Sequence, residues 1–203
     1  MASGRRTKCG LPLIVLAMLW PIALGIGESR AEDESQEAGL AQNLQARPTH
    51  GVLIFKLTLF DVEAKREDYC FDTYAHFTAS DGRTVKLQVF SGFRFRAPPL
   101  YKEALITIAP GTWVLDAISC EARRTKLNGP FASITINTGE VISGGHLIVN
   151  YAMGPVFSLK FSSRQVVRDF DAETIAALKR RLPVTFAKAK KRNLSPINKP
   201  SGA

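Results

Sequence analysis

From residue 51 onward the apolar positions recur with a period of two, the spacing of side chains on one face of a β-strand. Over 51–60 this places Leu53, Phe55, Leu57 and Leu59 together. Over 69–80 it collects Tyr69, Phe71, Thr73, Ala75 and Phe77, and after the Asp81-Gly82 turn signal it resumes at Val85, Leu87 and Val89. Segments 104–109 and 112–120 follow, joined at Pro110-Gly111. The run 131–137 closes at Thr138-Gly139, and 141–151 and 156–162 complete the set. Strands at this spacing, punctuated by glycine and proline, predict a mainly β fold: one antiparallel β-sandwich of about eight strands over 51–163. No helical period stands between strands, which excludes a parallel βαβ arrangement. Gly144-Gly145 inside a strand marks a bulge or a close backbone approach.

One helix stands out. Asp171 suits its N-cap and Glu173 its first turn, while Ile175, Leu178 and Leu182 form an apolar stripe. Lys179, Arg180 and Arg181 complement the negative end of the helix dipole, and Pro183 disfavours continuation. Residues 184–193 fit a second short basic helix. Residues 164–193 therefore read as a basic helical tail, and 194–203 as a disordered C-terminus.

The N-terminal segment has the three parts of an export signal. Arg5, Arg6 and Lys8 precede an apolar stretch at 11–26, and Ser29-Arg30-Ala31 offers small residues for cleavage. The apolar stretch contains Pro12 and Pro21 and is shorter than the roughly 20 residues of a spanning helix. Thr7-Lys8 follows the twin arginine where apolar residues belong, and Cys9 precedes the apolar run where a lipid-bearing cysteine would follow it. Residues 1–31 are thus read as a cleaved signal peptide, leaving no transmembrane span. Residues 32–50, acidic and rich in Gln and Ala, read as a solvated linker. The expected location is the periplasm or the secreted medium.

Export decides how the cysteines are read. Removing the leader leaves Cys70 and Cys120, which an oxidising compartment pairs. A ring of this size contributes roughly 4 kcal/mol in the chain-entropy account. The wide spacing does not match a C-x-x-C redox or metal motif.

The net charge of +9 is a property of one end. Between residues 32 and 178 there are 15 basic and 17 acidic side chains, whereas 179–203 holds eight basic and none acidic. Such asymmetry points to an acidic protein or an anionic envelope surface as partner, met through Lys179, Arg180, Arg181, Lys188, Lys190, Lys191 and Arg192, and not to nucleic acid. A second candidate surface interleaves rings and cations: Phe93, Arg94, Phe95, Arg96, Tyr101 and Lys102. The same alternation also fits an edge strand with Phe93 and Phe95 turned inward.

Pro110-Gly111-Thr112-Trp113, followed by Phe131-Ala132-Ser133-Ile134-Thr135-Ile136-Asn137-Thr138-Gly139-Glu140-Val141-Ile142, resembles small exported bacterial domains related to PEGA-like β-sandwiches. The likeness extends over about 51–163, with Ile142-Ser143 where aromatics are common in that family. It implies a sandwich fold and an envelope location, and it carries no chemistry with it.

No motif assembles a catalytic site. His50, His76 and His146 stand apart, without metal-ligand spacing. Gly139 and Gly144 have the spacing of a phosphate loop, but Gly145-His146 replace its Lys and Ser/Thr. No catalytic residue, metal or cofactor is therefore expected. The leading expectation is a non-catalytic exported protein, a binding or accessory module. The rival is a carbohydrate-active or other hydrolase built from Asp72, Glu103, Asp116 and Glu140. Mass spectrometry of the exported protein is expected to find Glu32 at the N-terminus; full-length chain in the membrane fraction would contradict the leader reading.

Overall fold

The computed structural model describes residues 27–68, 70, 72–90, 103–153 and 159–198. The described chain is mainly β and forms two sheets. After helix α1 (Gly27–Ala46) come β1 (Gly51–Asp61), β2 (Arg66–Asp68), β3 (Thr73–Ala79), β4 (Thr84–Phe90), β5 (Ala104–Ile108), β6 (Gly111–Cys120), β7 (Thr125–Ile136), β8 (Val141–Met153) and β9 (Leu159–Arg168). Helices α2 (Ala172–Arg181) and α3 (Pro183–Ala187) precede two short strands, β10 (Lys190–Lys191) and β11 (Ser195–Pro196). The first sheet runs β10-β8-β1-β2, with β5 also on β1 and β9 also on β8; the second runs β11-β7-β6-β3-β4.

The eight expected strands each have a counterpart, and β2, β10 and β11 are additional among the described residues. These three are two or three residues long. Too short to show a period, they form because a neighbouring edge offers hydrogen bonds. The expectation of a purely antiparallel arrangement is corrected. β1 and β10 both lie parallel to β8, while the remaining pairs are antiparallel. The chain between β1 and β8 builds all of β2 to β7 and returns on the same side, so this parallel pair needs no crossover helix.

Alternation places the core as expected. Leu53, Phe55, Leu57 and Leu59 from the first sheet meet Ala75, Phe77, Trp113, Leu115, Ile134 and Ile136 from the second in one buried cluster. Phe55 and Phe77 pack edge to face across the sheets, 5.6 Å between centroids. Trp113 satisfies its indole N–H by donating to the Ala109 carbonyl at 2.9 Å. The Gly144-Gly145 expectation also holds. The β1–β8 register shifts between Ile54 and Lys56, and Gly145 has φ +78°. A Cβ at Gly145 would lie 2.6 Å from the Arg168 carbonyl oxygen, so the backbone approach itself requires glycine.

The outer face of the first sheet carries a second cluster, in which Val52 and Ile54 pack with Leu40, Phe170, Leu178 and Leu182. The segment expected to be a linker is therefore helical up to Ala46, and Ser29 and Ala31 of the expected cleavage site stand in its first turns. Its stripe is weak, but Leu40 is buried and Leu44 packs beside it. Arg181 donates to the Gln36 side chain at 3.0 and 3.1 Å, and the Thr185 amide donates to Glu37 at 3.1 Å. Its Ala-, Glu- and Gln-rich sequence favours a helix, and these tertiary contacts dock it on the sheet. Asp171 caps α2 as expected, accepting from the Thr174 amide at 2.6 Å.

The C-terminal end is likewise corrected. The second helix stops at Ala187, and the chain then becomes a strap joining both sheets. β10 pairs with β8, buried Leu194 donates its amide to the Gly144 carbonyl, and β11 pairs with β7. Ile197 donates to the Phe131 carbonyl at 2.8 Å, and Asn198 accepts from the Gln165 amide at 2.7 Å. Residues 194–198 are thus part of the fold, and 199–203 lie outside the described residues.

Cys70 and Cys120 form a disulfide with α-carbons 5.9 Å apart. It ties the segment entering β3 to the end of β6, at the Thr73–Cys120 end of that strand pair. Thiol titration of the denatured, unreduced protein is expected to find neither cysteine free. Paired Cys70→Ser and Cys120→Ser replacement is expected to cost roughly 4 kcal/mol in urea unfolding.

Candidate functional site

The candidate tail residues occupy the helix layer and the strap, and most are committed to internal partners. Arg181, largely buried, donates to Glu103 at 2.6 Å. Arg192 donates through both terminal nitrogens to the carboxylate of Glu140, at 2.8 and 2.9 Å, and also to the Thr135 carbonyl. Lys190 approaches Glu140 at 3.5 Å, and Lys191 pairs with Asp169 at 2.6 Å. Lys179, Arg180 and Lys188 are exposed and have no ion pair among the described residues. Val184, 59% exposed, stands between them at the start of α3. The charge surplus seen in the sequence therefore divides into a structural set and a surface set.

Glu140 organises the structural set. Burial alone would raise its pKa, but the Arg192 hydrogen bonds, the Asn137 amide and the charges of Arg192 and Lys190 outweigh it. They hold the carboxyl below its ordinary value. Its position in the turn before β8 lets it catch the strap as the strap arrives, while its own carbonyl accepts from Val52 at 2.8 Å.

The polar end of the same sheet face holds His146, whose Nε2 lies 2.8 Å from the Thr58 hydroxyl. Burial and the neighbouring Lys56 lower the imidazole pKa, Glu67 and Asp171 oppose them, and Arg168 adds to the lowering. Lys56 in turn reaches Asp171 at 3.6 Å and donates to Thr174 at 3.4 Å. His146 is thus a strand residue tied into the docking of α2.

Unlike the first sheet, the second presents an outer face of exposed and half-buried polar side chains. His76 Nε2 lies 2.7 Å from Ser119 Oγ across the β3–β6 pair. Thr78 donates to Asp116 Oδ2 at 2.7 Å, and Asp116 Oδ1 is buried without a hydrogen-bond partner. In both of its strand pairings Asp116 is the residue that the register skips, which places it on a β-bulge. Lys86 lies over the Tyr74 ring at 4.0 Å and pairs with Glu121, and Arg83 lies over Trp113 at 5.4 Å. Alternation assigns Tyr74, His76 and Thr78 to one face, but the partnership with Ser119 and Asp116 depends on cross-strand register. That is why sequence reading left these residues ungrouped.

The four carboxylates of the rival hydrolase reading occupy separate environments. Glu103 and Glu140 are neutralised by arginines, Asp116 holds Thr78, and Asp72 accepts from Gln88 at 3.2 Å. The ring-and-cation segment Phe93, Arg94, Phe95, Arg96, Tyr101 and Lys102 lies outside the described residues. Among the described residues, no group of three or more His, Cys, Asp and Glu is placed to hold a metal ion, and no helix is long and apolar enough to cross a membrane. No known protein family, curated protein or solved structure matches the chain.

Arg192→Ala removes the paired hydrogen bonds to a carboxylate that is only 5% accessible, leaving it to Asn137 and Lys190. The expected cost is roughly 2 to 3 kcal/mol, below that of a fully buried pair because Arg192 is half exposed. The depressed Glu140 pKa means that its contribution is present above the ordinary value of 4.5 and is lost as the pH falls through the lower folded value. Urea midpoints measured from pH 6 to pH 3 should therefore fall less steeply in Glu140→Gln than in the parent protein.

Proposed function

We propose that this chain is an exported β-sandwich module that binds an anionic envelope surface through the outer side of its C-terminal helices. The observation that carries the reading is the set Lys179, Arg180 and Lys188, exposed on the helix layer and without a carboxylate partner among the described residues. Lys190 and Lys191 extend it, their side chains remaining 72% and 67% exposed despite their contacts. Exposed Val184 is one small apolar side chain among the cations, so the binding is electrostatic at the headgroups without insertion. The internal ion pairs matter as much, because they hold α2, α3 and the strap as a rigid platform, so little ordering entropy is lost on binding.

Export is part of the proposal. The tripartite leader supports it, and the Cys70–Cys120 bond is compatible with an oxidising compartment. The resemblance to PEGA-like sandwiches agrees with an envelope location. An anionic surface is preferred to an acidic protein because the free cations are spread over helices and carry little apolar area between them. That arrangement recognises charge density more readily than a shaped epitope.

Each lysine or arginine near an anionic surface contributes about 1 kcal/mol. Reversing Lys179, Arg180 and Lys188 together to Glu is therefore expected to reduce retention on phosphatidylglycerol vesicles at low salt by at least about 100-fold. Raising the salt to physiological strength should weaken the parent protein in the same direction. Equal retention of parent and triple variant, or none of the parent, would overturn the proposal. Because the three side chains have no ion pair among the described residues, the variant should keep the parent's urea midpoint.

A further inference from the structure

We infer that Ser119 is a nucleophile for acyl transfer from an ester, with His76 as its general base, on the open face of the second sheet. This goes beyond the surface-binding proposal and concerns the side of the molecule away from the helices. The inference begins with geometry. Ser119 and His76 sit on adjacent antiparallel strands, and their side chains meet at 2.7 Å, within the range a nucleophile and its base require. Both are partly accessible, so an acyl donor can approach from solvent.

The surroundings favour a neutral, accepting imidazole. Burial lowers the His76 pKa, and the charges of Lys126 and Lys86 add to this, against smaller opposing contributions from Asp116 and Glu121. The proposed step uses the tautomer with its proton on Nδ1, in which Nε2 accepts the Ser119 hydroxyl proton. Asp116 stands at the bulge beside this pair with one buried oxygen free of partners. Its charge opposes the lysines and supports the imidazolium when it forms. Exposed Lys126 and Lys86, the latter paired with Glu121, bring positive charge to the neighbourhood of His76, where it would favour a developing oxyanion.

The step balances without a cofactor. Ser119 Oγ forms a bond to the carbonyl carbon as its proton passes to His76 Nε2. The imidazolium then protonates the departing alkoxide as the ester C–O bond breaks. Water, deprotonated by the same nitrogen, hydrolyses the acyl-serine. The side chains around the pair are polar and charged, among them Lys86, Asp116, Glu121 and Lys126, so the ester it suits is one carried on a polar chain.

A fluorophosphonate probe tests this directly, since its P–F bond breaks as Ser Oγ bonds to phosphorus and fluoride leaves. The disulfide-intact full chain is labelled, digested and mapped. The adduct is expected on Ser119, absent in Ser119→Ala and slowed at least roughly tenfold in His76→Gln. The labelling rate of the parent protein should rise with pH through an inflection below the ordinary histidine value of 6.5. No adduct on the parent protein, an adduct on another serine, a rate without that inflection, or equal labelling of His76→Gln would each overturn the inference. The parent's labelling site and pH profile decide the matter even where a variant folds poorly. Vesicle retention, read separately, leaves the two proposals independent.

Discussion

Leu53, Phe55, Leu57 and Leu59 leave one face of β1 while Val52 and Ile54 leave the other, so this strand must be covered on both sides. Every later choice of the chain answers that requirement. The second sheet covers the inner face, and α1 with α2 covers the outer one. Fully burying each of these side chains stabilises the fold by roughly 1.5 to 3 kcal/mol. A strand buried twice over also needs partners along both edges, which β8 supplies on one side and β5 with β2 on the other. The parallel β1–β8 pair follows from this position and not from any local signal in either strand.

The strap is the second consequence. Two sheets packed face to face leave an open end, and residues 190–198 close it by pairing first with β8 and then with β7. Main-chain bonds and buried Leu194 give it attachment. Charge gives it register, because the paired bonds from Arg192 to Glu140 admit one placement of the chain. The basic C-terminal region therefore has two roles that its sequence does not separate. Arg181, Lys191 and Arg192 hold the terminus in place, and Lys179, Arg180 and Lys188 face outward from what has been held.

The two outer faces of the molecule have been put to different use. One is roofed by helices, and its residual polar groups, Lys56, Thr58, His146 and Asp171, are drawn into the docking of α2. On the other, side chains are paired among themselves across strands. His76 with Ser119, Thr78 with Asp116 and Lys86 with Glu121 make a patterned surface instead of a random hydrophilic one. A bulge that aims a carboxylate into such a surface is a costly feature for a merely solvated face.

Local patterning in a single chain was sufficient to determine a mainly β fold, the inward face of β1, β3 and β4, the cap and stripe of α2, the Gly144-Gly145 irregularity and the cysteine pair. Each of these depends on side chains close in sequence or, for the cysteines, on elimination. The continuous apolar run Val52-Leu53-Ile54-Phe55 also carried the signal of a strand buried on both faces. It was masked by the clean alternation that follows it. Tertiary structure alone decided the rest. Helix α1 has almost no apolar stripe, and its place on the sheet depends on Leu40, Gln36 and Glu37 finding partners that lie far away in the chain. β10 and β11 are too short to have a period, and exist because an edge awaits them. Which arginine meets which carboxylate, and that His76 meets Ser119, depend on strand register. Register is set by the whole sheet, since a slip of one residue would turn every buried side chain outward.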